Sequence, residues 1–325
     1  MKIRRHVLLL ILFSFIFLCY AHAQSDLIRY TIIPEKPCPG EPVTIGVRGE
    51  VKQAVLTANG RVLARGPFFH IPAGENNLSF MAAVLTIPNT FNAASSTPML
   101  VEIRLENENR TMAIIPIEIS NREFESETLW LDRVLTDIRT DTSPQRTAES
   151  SRLWAILSTT GKDIYHTGKF IPPVSSTRRT SSFGERRIYV YSDGGRDTSI
   201  HTGIDYGVPT GTEVIACGSG KVVLARSMIV AGNAVIIEHA PGIYSLYYHL
   251  DKIEVTEGAI VTAGARIGLS GATGLATGPH LHWDIRVNTE TADPDAFIAR
   301  PIVDKDLIIS KIYNIGNKIN LQERR

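Results

Sequence analysis

The sequence predicts a mostly β protein made of an N-terminal immunoglobulin-like (Ig-like) β-sandwich, a short helical linker and a C-terminal antiparallel β-domain. Short β-rich runs separated by turn-forming residues fill residues 27–120 and return from Phe170 onward. Between these regions the apolar residues recur at helical spacing instead. A chain of 325 residues also exceeds what one core usually organises, so two domains with connecting segments are expected.

Residues 1–23 have the pattern of a cleaved signal peptide. They combine a basic start, an apolar run at residues 7–18 and small residues at Ala21 and Ala23. Cleavage before Gln24 predicts an exported protein, and a retained N-terminal anchor is the alternative. No later stretch is long and apolar enough to span a membrane, so no membrane span is expected after signal removal.

Residues 27–120 predict the Ig-like β-sandwich. Asn59-Gly60 is a two-residue hairpin signal between two of the β-rich runs. The region contains one histidine, His70, and no group of residues that suggests catalysis. The number and spacing of the runs are typical of immunoglobulin-like sandwiches, and they lie at residues 29–33, 43–47, 54–58, 78–84, 100–105 and 112–119.

Residues 121–165 predict a helical linker with two short helices. Ser143-Pro144 marks a turn between the helices, and a weaker helical pattern at residues 148–157 indicates the second one. The first is predicted from apolar residues that share one helical face, namely Phe124, Leu129, Leu131, Val134, Leu135 and Ile138.

Residues 166–300 predict a compact antiparallel β-domain, because glycine becomes frequent and turn signals separate nearly every β-rich run. No element is predicted for the C-terminal tail at residues 301–325. The runs of the domain include residues 213–216, 220–225, 234–238, 245–249 and 281–287.

Charge and cysteine content exclude two classes of protein. Signal removal takes three of the 34 basic residues and none of the 33 acidic ones, which leaves a formal charge of −2. A nearly neutral chain without a dense basic stripe does not predict a nucleic-acid partner. Only Cys38 and Cys217 remain after residue 23, and they fall in different predicted domains, so no disulfide framework is expected.

One candidate half-site for a metal is the pair His201 and Asp205. Residues four apart can share one side of either an extended segment or a helical turn. Imidazole nitrogen and carboxylate oxygen are both zinc ligands. A buried hydrogen bond between the two side chains is the alternative explanation.

The second candidate half-site lies in Gly278-Pro279-His280-Leu281-His282-Trp283. Strand alternation would put both histidines on one face. Spacing leaves open whether both bind metal or whether one binds metal and the other faces a substrate. His249 ends another aromatic-rich run and could converge on the same cleft.

In this order, His201-x-x-x-Asp205, Tyr248-His249-Leu250 and Gly278-Pro279-His280-Leu281-His282 resemble the lysostaphin-type (LytM-like) zinc endopeptidases of bacterial cell walls. The resemblance extends from about residue 172 to residue 294. It includes Ser181-Ser182-Phe183-Gly184 before the first motif and Gly268-x-x-Gly271-x-Thr273-Gly274 before the last.

The resemblance implies a zinc ion held by His201, Asp205 and His282, with His249 and His280 as unliganded catalytic residues. Three protein ligands leave one position for water, as in catalytic zinc sites. Zinc would polarise the scissile carbonyl, and the histidines would handle the protons and the oxyanion. The implied substrates are the peptide cross-links between peptidoglycan stem peptides.

The resulting expectation is a periplasmic or cell-envelope-associated bacterial murein hydrolase. The alternative is a catalytically silent regulator that binds other cell-wall hydrolases, since degenerate members of this family have that role. An adhesin with a vestigial peptidase domain is a third class. A regulatory protein partner stays open in each case.

Overall fold

The computed structural model describes residues 28–72, 77–91, 101–108 and 110–313. The predicted signal peptide and its cleavage site lie outside the described residues. Those residues form 21 strands and four helices, so the mostly β fold class is confirmed. None of the four helices within the described ranges combines the length and the apolar character needed to cross a bilayer.

The first eight strands form two four-stranded sheets. They are β1 (Arg29–Ile33), β2 (Pro42–Arg48), β3 (Gln53–Ala58), β4 (Arg61–Pro67), β5 (Phe69–Ile71), β6 (Phe80–Thr86), β7 (Val101–Asn107) and β8 (Arg110–Pro116). The sheet orders are β1-β2-β6-β5 and β4-β3-β7-β8. With β4 as an added strand, these are the ABED and CFG orders of immunoglobulin sandwiches, which supports the Ig-like assignment.

Strand β2 is buried on both of its faces. Alternate apolar residues such as Ile45 enter the sandwich core together with residues of the other sheet. The opposite face of β2 meets the C-terminal part of the chain. The Thr44 hydroxyl donates to the Ile302 carbonyl at 2.8 Å, and a Cβ on Gly46 would overlap the Ile308 side chain.

The linker begins with a strand where the sequence predicts a helical face. β9 (Ser126–Trp130) pairs in parallel with β11 (Arg186–Val190), so the prediction that Phe124, Leu129 and Leu131 lie on the first helix is wrong. Along β9 the side chains are alternately exposed and half-buried, and leucines at 129 and 131 fit a two-residue period. The two predicted helices follow as α1 (Arg133–Thr140) and α2 (Pro144–Ser158).

Both linker helices begin at side-chain caps. The Asp132 carboxylate accepts a hydrogen bond from the Leu135 backbone at 2.8 Å before α1. The Ser143 hydroxyl accepts one from the Arg146 backbone at 3.2 Å before α2, whose first residue is Pro144. Caps of this kind satisfy donors that the helix leaves open, which explains why both helices begin here.

The C-terminal domain adds twelve further strands. They are β10 (Arg179–Ser181), β11, β12 (Arg196–Ile200), β13 (Gly203–Tyr206), β14 (Glu213–Ile215), β15 (Gly220–Met228), β16 (Gly232–Ala240), β17 (Ile243–Ile253), β18 (Ile260–Val261), β19 (Arg266–Ser270), β20 (Leu281–Val287) and β21 (Glu290–Ala292). Ten belong to one sheet with the main path β10-β13-β20-β17-β16-β15-β18, and a smaller sheet has the order β12-β11-β9.

Several contacts join the predicted units. α3 (Pro294–Ala299) ends the C-terminal domain, and α4 (Lys305–Tyr313), which lies in the predicted tail, packs on β1 and β2. Arg300 forms an ion pair with Glu41 at 2.5 Å. The division of the chain into independent units stays a proposal, with boundaries at residues 27–120, 121–165, 166–300 and 301–325.

The packing of α4 predicts a stability difference between two adjacent residues. Ile308 is fully buried against the N-terminal sheet, whereas Leu307 is 38% exposed. Ile308→Ala should therefore lower the free energy of unfolding by about 2–5 kcal/mol. Leu307→Ala should change it by only about 0.5 kcal/mol. Thermal and denaturant unfolding of both variants measure this, and equal losses would contradict the described packing.

Candidate metal centre

Three side chains from neighbouring elements converge on one face of the large sheet. His201 directly follows β12, Asp205 lies on β13 and His282 lies on β20. The antiparallel register of β13 and β20 places Asp205 directly opposite His282. Opposite residues project to the same face of a sheet, so the register itself brings these side chains together.

Local packing lets β13 and β20 approach each other and orients His282. Leu281 and Trp283 are fully buried, as the alternation around His282 predicts. A Cβ on Gly203 would overlap the Trp283 carbonyl, so glycine is needed where β13 passes β20 most closely.

The ligand-type atoms of this site lie within hydrogen-bonding distance of one another. His201 Nε2 is 3.0 Å from Asp205 Oδ1 and 3.0 Å from His282 Nδ1, and the last two atoms are 2.8 Å apart. The exposed fractions of the three residues are 3%, 6% and 6%. Their spacing meets the geometric requirement for a shared metal ion.

Too few protons are available between His201 Nε2, Asp205 Oδ1 and His282 Nδ1 to satisfy all three atoms by hydrogen bonding, which favours a cation there. The Nδ1–H of His201 donates to the Ser182 carbonyl at 2.8 Å, so Nε2 presents its lone pair. Asp205 Oδ1 is an acceptor, which leaves only His282 Nδ1 to supply a proton. Buried hydrogen-bond acceptors in mutual contact are unfavourable. Two imidazole nitrogens and one carboxylate oxygen are ligands that suit a divalent metal.

The charge states of the candidate ligands also suit metal binding. Burial opposes ionisation of Asp205, but its close polar contacts with His201 and His282 outweigh burial and hold the pKa of the carboxyl well below its usual range. Burial lowers the pKa of His282 and favours a neutral imidazole. Ionised carboxylate and neutral imidazole are the forms that bind metals.

The other two predicted site residues lie beside the candidate ligands. The ring centroids of His249 and His280 are 4.7 Å apart, and His280 Nε2 is 3.8 Å from Asp205 Oδ1. Both rings donate Nδ1–H to a backbone carbonyl at 2.8 Å, His249 to Thr273 and His280 to Gly278. In the neutral rings Nε2 is therefore an acceptor. The structure thus brings all five predicted residues together.

The backbone of His249 has an uncommon conformation. Its φ of 62° lies in the left-handed region, and its backbone N–H donates to Ala231 at 2.9 Å. Such conformations in residues other than glycine concentrate at functional sites. Burial lowers the pKa of the His249 imidazole to about 3, so the ring is neutral at pH 7.

Arg187, which the sequence analysis does not single out, holds the second oxygen of Asp205. Its guanidinium Nη2 lies 2.8 Å from Asp205 Oδ2, and its side chain is only 13% exposed. Arg187 Nε lies 3.6 Å from the carboxylate of Glu127 on β9. Because the arginine engages Oδ2, Oδ1 is the oxygen that faces the histidines.

The cleft around the site is formed partly by the linker. Cavities of about 290 and 200 Å³ share Arg187, Tyr189, His249 and His282 as lining residues. α1 and α2 line the larger cavity, and β9 lines the smaller one. These walls are not predictable from the sequence, because neither β9 nor α2 carries a residue pattern associated with a reaction.

Residues 199–294 match the family model "Peptidase family M23". The chain is 42% identical over 116 residues to peptidoglycan DD-endopeptidase ShyA of Vibrio cholerae, covering 36% of this chain and 26% of that protein. It is 40% identical over 135 residues to DD-carboxypeptidase/endopeptidase Mpg of Neisseria meningitidis, covering 41% of this chain and 30% of that protein. The chain thus spans less than a third of the length of either relative.

A crystal structure described as a peptidase M23 from Pseudomonas aeruginosa has the same fold. The two chains superpose with a TM-score of 0.53 at 23% identity, covering 81% of this chain and 95% of the other. The family resemblance predicted from the sequence is confirmed for the C-terminal domain.

The ion pair between Arg187 and Asp205 predicts an effect on metal affinity. Arg187→Met frees Asp205 Oδ2 and should weaken metal binding by about 10- to 100-fold, the usual effect of losing a group that orients a ligand. Arg196→Met, on the exposed part of β12, is the matched control. Titration of the metal-free variants with Zn²⁺ against a chelating indicator measures the zinc affinity of each. An Arg187→Met affinity equal to that of the control would refute this role.

Proposed function

Because residues 199–294 form a peptidase family M23 domain, we propose that this protein is a zinc-dependent endopeptidase that hydrolyses peptide cross-links of bacterial peptidoglycan. The observation that carries the proposal is the convergence of His201 Nε2, Asp205 Oδ1 and His282 Nδ1 beside two further imidazoles in an open cleft. The relatives named as DD-endopeptidases support the substrate class.

Zinc would be held by His201, Asp205 and His282, and when bound it supplies a Lewis acid next to the cleft. Asp205 contributes a buried negative charge, and Arg187 keeps its carboxylate in one orientation. The chain contributes two nitrogen ligands and one oxygen ligand, which is typical of catalytic zinc sites with an open position.

Proton transfer is assigned to His249 and His280. Each imidazole uses Nδ1–H to hold its own orientation, so Nε2 remains available to take a proton from water and return it to the leaving amine. Burial keeps the His249 ring neutral, the form in which Nε2 carries a lone pair. Their ring contact allows the two groups to act on one substrate.

The substrates of this reaction lie outside the cytoplasm. We propose that the predicted signal peptide exports the protein to the periplasm or cell envelope, where it meets stem peptides. A regulatory protein partner is compatible with this location.

Single substitutions should separate metal binding from proton transfer. His201→Ala, Asp205→Ala and His282→Ala each remove a ligand, so bound zinc and activity should fall together. His249→Ala and His280→Ala should keep zinc near the parent level while turnover drops about 10²-fold or more. His70→Ala, an exposed histidine on β5, is the control and should change neither quantity. Elemental analysis and muropeptide release from purified sacculi measure both quantities.

Two outcomes would reject this assignment. If His280→Ala lost its zinc while His282→Ala kept it, His280 would be the ligand and His282 the proton-transfer residue. Failure of the folded, zinc-loaded parent to release any muropeptide would instead favour a catalytically silent regulator.

A further inference from the structure

One face of α2 lies against the cleft beside the candidate metal centre. The residues on this face recur at positions i, i+3, i+4 and i+7, the spacing of a single helical stripe. They line the cavity of about 290 Å³ together with His201, His249 and His282, and they are Arg146, Glu149, Ser150 and Leu153. The helix therefore contributes directly to the surroundings of any substrate bound there.

Three arginines line this cavity, and two of them have carboxylate partners within the protein. Arg187 is paired with Asp205, and Arg139 lies 2.6 Å from Asp197. Arg146 differs, because its guanidinium donates to the Ile138 carbonyl at 3.0 Å and forms no ion pair among the residues that the structure describes.

The carboxylates of the acidic residues closest to Arg146 in sequence accept hydrogen bonds from other groups. The Glu149 carboxylate accepts from the Ile229 backbone at 2.8 Å and from the Gln145 amide at 2.9 Å. The Asp141 carboxylate accepts from the Ser143 backbone at 2.5 Å. Asp141 also attracts Arg146 electrostatically, but at a longer distance than an ion pair. A half-buried guanidinium in a concave site, with no ion pair among the described residues, is suited to bind an anionic group of a ligand.

The position of Arg146 within α2 is unfavourable for the helix itself. Ser143 is the N-cap, so Arg146 is the third helical residue, where a capping Glu or Gln is usual. A positive charge in the first turn is also disfavoured by the helix dipole. The stability of α2 therefore does not explain an arginine at this position, and the internal bond that the structure shows for its guanidinium is the one to the Ile138 carbonyl in the last turn of α1.

We propose that Arg146 binds the carboxylate carried by the substrate residue on the amine side of the scissile bond. This inference rests on the proposed function. In a cross-link through a diamino dicarboxylic acid such as diaminopimelate, the carbon that bears the scissile nitrogen also bears a free carboxylate. A C-terminal amino acid released by a carboxypeptidase presents the same arrangement. Both substrate types therefore offer one anion next to the bond that is cut, and a guanidinium can bind it through two hydrogen bonds.

Two soluble cross-linked muropeptide dimers test the proposal, one with this carboxylate free and one with it converted to the amide. The parent should cleave the free form with a kcat/KM about 10- to 100-fold higher than the amidated form, the usual effect of a charge-assisted hydrogen bond. Arg146→Gln should lose that factor on the free form, mainly through KM, and should cleave the amidated form like the parent. Arg146→Lys should recover part of the loss, because the charge remains without the two-point geometry.

Arg152→Gln is the matched control, since Arg152 lies on the same helix but pairs with Glu257 at 2.9 Å. It should leave both rates unchanged. Equal losses on the two dimers for Arg146→Gln, or a parent that does not distinguish them, would overturn the proposal. A zinc-loaded parent that cleaves neither dimer nor sacculi would refute the proposed function itself, which is a different result from cleavage without carboxylate preference.

Discussion

The register between β13 and β20 is the constraint on which the site depends. It sets Asp205 opposite His282, and the preceding turn brings His201 Nε2 to within 3.0 Å of both side chains. A slip of one residue would turn the histidine into the core and Trp283 toward the cleft. The buried leucine and tryptophan on the other face of β20 oppose such a slip, so apolar packing and metal chemistry favour the same register.

Part of the cleft around the site comes from segments outside residues 199–294, the range that matches the peptidase family. β11 supplies Arg187, the parallel strand β9 lines one cavity and α2 lines the other. The proposed ligands thus lie within the matched range, while part of the charge and shape of the cleft comes from the linker and from β11.

The five proposed site residues could be predicted from the sequence because ligand types at fixed spacing leave few alternatives, and the order of three motifs removed most of those. The fold class followed from the spacing of turns and β-rich runs. β9 was not predictable, since five alternating residues beside a helix also fit a helical face. Arg146 and Arg187 were missed for another reason: a lone arginine has no distinctive spacing, and its partners become neighbours only after folding. α4 likewise depends on a tertiary contact, that of Ile308 with Gly46.

X-ray absorption spectroscopy of the zinc-loaded protein tests most directly whether three residues bind the metal while two imidazoles stay free. We expect only nitrogen and oxygen ligands at about 2.0–2.2 Å, with multiple scattering from two imidazoles. The spectrum should not change in His249→Ala or His280→Ala. A contribution from three or more imidazoles in the parent, or the loss of one in either of these variants, would contradict the assignment.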